Sequence, residues 1–594
     1  MTNPLKYNKH PFIEVNFLNG EPKTGWISIK ESITSAIGNL KKSKKIVLFD
    51  TYQGVHDDEI LQGLVQPLNL KTIYTRDYFL NEKELEVLLQ PYVTDDEIFG
   101  YMNRLTMINL FDTKKLNSIR KEIESQKEGI VLIYGPGASL LSSASDLLVY
   151  FDMPRWEIQL RFRNNTVGNL GFQNNNHKTS LQYKQAFFVD WRICDRHKKT
   201  IMPVWDFVVD TTTAGSPVMV NGNDLNAAYQ HTAERPFRFV PFFDPGPWGG
   251  KWMMEKLGLP KDVPNYAWAF DCVAEENSIV YKFGNTFFET PGINLVFAQP
   301  EKLLGPAVHA RFGEEFPIRF DFLDTIEGGN LSLQVHPTTG YIQEKFGMHY
   351  TQDESYYMLD ATEGATVYLG LKDDINPTEM IADLHKAQKT ASDFDVDKYV
   401  QQWPAKKHDH FLIPAGTIHC SGKNSMVLEI SATPYIFTFK LWDWNRMGLD
   451  GKPRSINIEH GKNVINWSVT PAYTQKHLIN DITTIASGDG WKEEKTGLHE
   501  KEFIETRRHW FTKKVTHYTE GSVNVLNLVE GDEVIVESPE NEFTPFKVNY
   551  AETFVIPASV NVFTITPYGN SEGRKCATIK ARVRTGITHQ PITG

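Results

Sequence analysis

The apolar positions change their rhythm near residue 235 of the 594-residue chain. Before that point, short unbroken apolar runs alternate with stretches of helical period. Lys44–Asp50 (KKIVLFD), Gly129–Tyr134 (GIVLIY) and Asp146–Asp152 (DLLVYFD) are such runs. Runs of this kind predict buried parallel strands. Asp112–Lys127 sets Leu116, Ile119 and Ile123 on one helical face, with Asp112 or Thr113 as its cap. Strand, helix, strand in this order predicts a parallel sheet with helices on its faces.

Pro, Gly and aromatic residues concentrate at 241–250 (PFFDPGPWGG), as at a domain boundary. Short strands are then expected at Asn294–Phe297, Ile318–Phe322, Leu331–Val335, Thr366–Leu371, Phe411–Ile413, Met426–Ile430 and Tyr435–Leu441. One helix interrupts them. Asn376 caps it, Pro377 opens it, Glu379 completes a capping pattern, and Met380, Ile381, Leu384, Ala387 and Ala391 form the apolar stripe. The β pattern resumes at Val523–Leu528, Glu533–Glu537, Thr553–Pro557 and Val560–Thr566. Phe554-Val-Ile-Pro-Ala-Ser559 echoes Phe411-Leu-Ile-Pro-Ala-Gly416, either as a repeat of two related barrels or as a shared strand-end turn. The expectation is a multidomain chain: an α/β domain at 1–232, a β barrel at 233–480 with a helical insertion near 376–402, and a smaller β domain at 481–594.

Composition narrows the function classes. The 62 basic and 73 acidic side chains leave a net charge of −11, which argues against bulk nucleic-acid binding. Four scattered cysteines form neither a disulfide framework nor a cysteine zinc site and favour a reducing compartment. Residues 1–17 lack the apolar core of a secretory signal, and no apolar run is long enough to span a bilayer. A cytoplasmic protein without a membrane partner is expected.

The densest chemistry lies in Leu331-Ser-Leu-Gln-Val-His-Pro337. On a strand, Gln334 and His336 share a face, with Ser332 beside them, while Leu331, Leu333 and Val335 face the other way. Glu354, ahead of an apolar segment, offers a carboxylate, and His419 follows the turn Ile413-Pro-Ala-Gly416. A barrel that brought these strands together would gather two imidazoles, a carboxylate and an amide oxygen. That set suits Zn²⁺ and also takes Mn²⁺ or Fe²⁺.

From about Pro236 onward the chain resembles the type I mannose-6-phosphate isomerases, zinc enzymes of the cupin superfamily. The matching phrases fall in family order: Gly246-Pro-Trp-Gly-Gly250, Phe316-Pro-Ile with Phe322-Leu-Asp324, the Gln334/His336 segment, Asp353-Glu354 with Tyr357-Met-Leu-Asp-Ala361, Tyr368-Leu-Gly-Leu-Lys372, Ile413–His419 and Trp442-Asp-Trp-Asn-Arg446. The resemblance implies two cupin barrels, the first holding one Zn²⁺ on Gln334, His336, Glu354 and His419. It implies catalytic positions at Glu429, Lys440 and Arg446, substrate contacts at Ser332 and Lys372, and a sugar-phosphate substrate. The reaction would interconvert mannose 6-phosphate and fructose 6-phosphate through an enediol, with Glu429, a zinc-bound water or another side chain as base.

There are departures from the family pattern. Gln352 or Asp353 stands where the family usually has Lys, Lys440 where it has Arg, and Tyr266-Ala-Trp-Ala-Phe270 lacks acids the family carries there. Lysine keeps the charge but not the planar fork. These changes favour an alternative, a metal-containing cupin that binds or senses a sugar or sugar phosphate without turnover. Gly129–Arg163 resembles, more loosely, the later half of a uridine-kinase-like P-loop fold. No GxxxxGK[ST] motif is present, and Gly135-Pro-Gly-Ala-Ser139 lacks the lysine. The first domain is therefore expected to be a degenerate kinase-like fold that binds a ligand or packs against the barrel.

Overall fold

The computed structural model describes residues 5–16, 19–448, 454–497 and 502–586. The outermost parts of the expected first and last domains, residues 1–4 and 587–594, lie outside them, as do residues 17–18 of the N-terminal segment.

The first part is a seven-stranded sheet. Lys44–Thr51 is the middle of its five parallel strands, with Gly129–Tyr134 on one side and Leu147–Asp152 on the other. Thr72–Tyr74 and Phe207–Asp210 extend the parallel set outward, and Val218–Asn221 adds an antiparallel strand. The apolar runs read as strands because both faces are covered. Ile46 to Phe49 and Leu147 to Phe151 are all buried. The helix Thr113–Ser125 buries Leu116, Ile119 and Ile123, and Asp112 caps it by accepting from Lys114 and Lys115.

The Gly135–Ser139 loop follows the strand Gly129–Tyr134. Gly135 and Gly137 have φ of 120° and 74°, which a side chain would strain. The loop's donors turn inward. Asp50 accepts from the backbone N–H groups of Gly137 and Ser139, each at 3.0 Å, and from Ser139 Oγ at 2.9 Å. His197 Nε2 lies 2.9 Å from the same carboxylate. Amides that a phosphate-binding loop would aim at a ligand are here consumed by the domain's own acid.

The second part is a barrel of two sheets. A six-stranded sheet places Arg319–Asp324 beside Ser425–Ser431, which in turn lies beside Glu354–Ala361. The facing five-stranded sheet places Leu333–Val335 between His419–Ser421 and Phe439–Trp442. The insertion helix Pro377–Thr390 starts at Asn376, whose side chain accepts from Thr378 and Glu379. Ala391 does not join its apolar stripe; it is the exposed C-cap, with φ of 50°.

Asn294–Phe297 is not a strand; it lies within the helix Gly292–Ala298. A four-residue apolar run fits a buried helix as well as a strand. What fixes the helix is Asn294, which donates to Asp152 Oδ2 at 2.8 Å and accepts from Lys198 Nζ at 3.1 Å. Tyr435–Leu441 is also shorter than expected, since the strand begins at Phe439. A separate three-stranded sheet joins Ile13–Val15 to the hairpin Ser278–Phe283 and Thr286–Pro291, so the two ends of the first half are tied together.

The last part pairs a six-stranded with a four-stranded sheet. The echoed phrases occupy equivalent places. His410–Ile413 and Thr553–Ile556 each lie at the edge of a six-stranded sheet, and the next strand of each joins the opposite sheet. Glu530 clamps the two barrels together, at 3.1 Å from His408 Nε2 and 2.6 Å from Lys407 Nζ. These partners, His408 first, hold its carboxyl down at about 2 against partial burial. A depressed folded-state pKa stabilises the fold above about 4.5, and that stability fades as pH falls toward 2. Glu530→Gln is thus expected to cost about 1 kcal/mol at pH 6, a value kept small by solvent exposure, and nothing near pH 2. Chemical denaturation at the two pH values checks this.

Candidate metal centre and active site

The site starts from strand registers. Gln334 is directly opposite His419 on one neighbour and Lys440 on the other. In the facing sheet, Arg319, Ser431 and Glu354 form one cross-strand row, and Asp321, Glu429 and Tyr356 form the next row but one. Residues two apart share a face, so both rows look the same way.

The two histidines have fixed tautomers. His336 Nδ1 is 2.9 Å from the Phe437 carbonyl, and His419 Nδ1 is 2.9 Å from the Thr417 carbonyl. A carbonyl only accepts, so each Nδ1 carries the proton and each Nε2 keeps a lone pair. Those Nε2 atoms lie 3.3 and 2.9 Å from Glu354 Oε1. All three atoms are buried without a hydrogen-bond partner among the described residues. Three converging acceptors in a dry site are costly unless a cation lies between them. Among the described residues, His336, Glu354 and His419 are the one group of three whose ligand atoms lie together, within 4.8 Å. The donor set fits a divalent metal, and Gln334 stands at the register position from which an amide oxygen could complete it.

Beside this triad a polar cluster surrounds Glu429. Arg319 reaches its carboxylate and also Asp321 Oδ1, the latter at 3.0 Å. Ser431 Oγ donates to Glu429 at 3.0 Å. Gln352 Nε2 bridges Glu354 at 2.7 Å and Glu429 at 3.1 Å, while its oxygen accepts from the Phe437 N–H at 2.8 Å. Burial first, then the Asp321 and Glu354 carboxylates, push the Glu429 carboxyl well above its usual range, although Arg319 opposes them. Burial also raises Glu354, but positive charge on its His336 and His419 side, whether a proton or a cation, outweighs burial and holds that carboxyl well below the usual range. Two carboxyl groups joined by one amide are thus pushed in opposite directions, the arrangement that separates an acid from a ligand.

Over 248 residues, 40% of this chain, the sequence is 27% identical to mannose-6-phosphate isomerase of Streptococcus mutans, covering 72% of that protein. It is 23% identical over 246 residues to mannose-6-phosphate isomerase ManA of Bacillus subtilis, covering 71% of it. A solved mannose 6-phosphate isomerase from Bacillus subtilis superposes on 59% of this chain and 99% of its own, with a TM-score of 0.49 and 19% identity. A solved zinc-bound mannose 6-phosphate isomerase covers 58% of this chain and 98% of its own, with a TM-score of 0.45 and 14% identity. Residues 25–234 match a domain family of unknown function, DUF8485. None of these relatives is a P-loop kinase, and the similarity to mannose-6-phosphate isomerases spans 40–59% of the chain.

A cavity of about 310 Å³ opens against the site. Ser332, Gln334, His336, Glu429 and Lys440 line it, so five of the expected positions share one space. Burial, then neighbouring Arg454, pushes the Lys440 ammonium down to about 8. Lys372 and Arg446 are not part of this lining. Lys372 follows the strand Thr366–Leu371 and gives its ammonium to the Asp397 carbonyl. Arg446 is turned to Asp443, 2.8 Å away. The cation that does reach the cavity from that region is Arg454, eight residues further on.

Four lining residues come from the first domain. Trp156, Gln159 and Arg163 lie on the helix Arg155–Arg163, and Tyr183 lies on Thr179–Gln185. Together they roof the cavity. The roof is pinned to the barrel. Arg163 pairs with Asp244 through both guanidinium nitrogens, at 2.8 and 2.9 Å. Gln159 and Tyr183 donate to Glu276 at 3.1 and 3.3 Å. Arg155, buried at 2% exposure, bridges Asp195 of its own domain and Glu275 of the barrel. The sequence shows the arginines of this helix but carries no signal of where they dock.

Proposed function

We propose that the chain is a metal-dependent aldose–ketose isomerase of sugar phosphates, with zinc as the metal and mannose 6-phosphate and fructose 6-phosphate as the pair interconverted. The carrying observation is the convergence of His336 Nε2, His419 Nε2 and Glu354 Oε1, all buried and unsatisfied, with His336 lining the same cavity as Glu429, whose carboxyl is raised above its usual range. The two curated relatives are both isomerases of mannose 6-phosphate by name, which supports the substrate.

In this reading His336, Glu354, His419 and Gln334 hold the metal. A bound divalent ion would polarise the sugar oxygens at C1 and C2 and stabilise the negative charge of the enediol stage. Glu429 moves the proton between C1 and C2, and its raised carboxyl suits both taking and returning it. Arg319 and Ser431 fix the carboxylate, and Gln352 keeps it aligned with Glu354. Lys440 and Ser332 meet substrate oxygens from the opposite sheet. The four cysteines are buried free thiols, which supports a reducing, cytoplasmic setting.

A second reading, binding without turnover, is favoured by one observation: Glu429 is already engaged by three side chains. A coupled assay with mannose 6-phosphate separates the two. Zinc-replete protein is expected to turn the sugar over, and chelation is expected to abolish the rate. Binding without turnover from metal-replete protein would leave the second reading standing.

A further inference from the structure

A second cavity, of about 490 Å³, adjoins the first. Gln159, Arg163, Tyr183, Ile436, Lys440 and Arg454 wall both, so the second space is an antechamber between the α/β domain and the barrel. Five cations face it, Arg163, Lys178, Lys184, Lys440 and Arg454, against one carboxylate, Glu97. Lys178 takes Glu97 at 2.5 Å, Asp244 takes Arg163 at 2.8 Å, and Asp443 takes Arg454 at 2.8 Å.

Two cations are left over. Lys184, buried at 4% exposure, gives its ammonium to the backbone carbonyls of Asp96 and Thr94. Lys440 has no carboxylate within ion-pair distance among the described residues. Thr179 and Ser180 add hydroxyls to the same wall. Burying ammonium groups without a counter-ion is unfavourable, and the deficit is met when an anion enters. A phosphate matches this lining better than a carboxylate does. Its three oxygens can at once take a lysine point charge, a hydroxyl and the Nε–H edge of Arg163 that Asp244 leaves open.

We propose that the antechamber receives the phosphate end of the substrate while the sugar carbons reach the metal cavity, and that Arg163 and Lys184 of the α/β domain are therefore specificity-determining residues. The first domain thus completes the binding site of the second. This rests on the sugar-phosphate reading above but not on turnover.

The test is calorimetric binding to full-length, zinc-loaded protein, with mannose 6-phosphate, mannose and inorganic phosphate as separate probes. Arg163→Gln, on a half-exposed side chain, and Lys184→Met are each expected to weaken mannose 6-phosphate binding at least tenfold. Their zinc content and mannose affinity should stay at wild-type level. Unchanged mannose 6-phosphate affinity in Arg163→Gln overturns the proposal, as does a wild type that binds mannose as tightly as its phosphate. Binding that depends on Arg163 without any turnover would overturn the isomerase reading and leave this one in place.

Discussion

His336→Ala or His419→Ala is expected to take bound zinc from about one per chain to a small fraction, and isomerase activity down by at least about 10²-fold. The magnitude follows from the geometry. Each Nε2 faces Glu354 Oε1 across 3.3 Å or less, and each ring is oriented by a carbonyl that accepts from its Nδ1. Removing one ring deletes one of three charged or lone-pair ligands and leaves the other two facing each other in a dry site. Elemental analysis of purified variants reads the result directly. Full zinc occupancy in either variant would mean that the ligand assignment is wrong.

The largest stability effect is expected at Arg155. Its guanidinium is shared between Asp195 and Glu275, all three groups being buried, and it stacks 5.2 Å from the Trp191 ring. Arg155→Met leaves two buried carboxylates short of a cation, and breaking a buried pair from one side costs about 3–5 kcal/mol. Arg192, 3.2 Å from Glu275, limits the loss on that side, and Tyr52 still donates to Asp195. Glu275→Gln should therefore cost less, because Arg155 keeps Asp195. Urea titrations of the two variants, followed by tryptophan fluorescence, would rank them. Equal midpoints for Arg155→Met and wild type would show that the interface does not depend on this residue.

Several parts of this architecture are legible in the sequence because they depend on local pattern. The central strands announce themselves as apolar runs buried on both faces, and the helix Pro377–Thr390 through its Asn376 cap and Pro377. The positions Gln334, His336, Glu354 and His419 are legible as residue types on strand ends. The convergence of His336, Glu354 and His419 is legible only from the family resemblance and not from local pattern, since it follows from registers such as Gln334 opposite His419. Asn294–Phe297 misleads because a polar network with Asp152 and Lys198, 142 and 96 residues away, decides its conformation. Lys372 and Arg446 mislead differently. They are the right residue types near the right strands, but each is turned to a local partner. Arg319 passes unnoticed as a site residue because nothing local marks an inward-facing polar residue in an apolar strand, and Gln352 is marked only as a departure from the family's lysine. The roof helix is invisible for the same reason at larger scale, since docking between domains leaves no periodic trace.

An acid on the neighbouring strand, Asp50, closes the Gly135–Ser139 loop from within. By accepting from Gly137 and Ser139, Asp50 takes the place that a bound anion would need. Grafting a lysine into the loop would then not create a nucleotide site, because the seat is already taken by a tethered guest. Opening the loop would need Asp50 removed too, and with it the hold on His197 and the helix that carries it. The loop is a sealed corner of the sheet, and what the domain adds to the site is its roof helix.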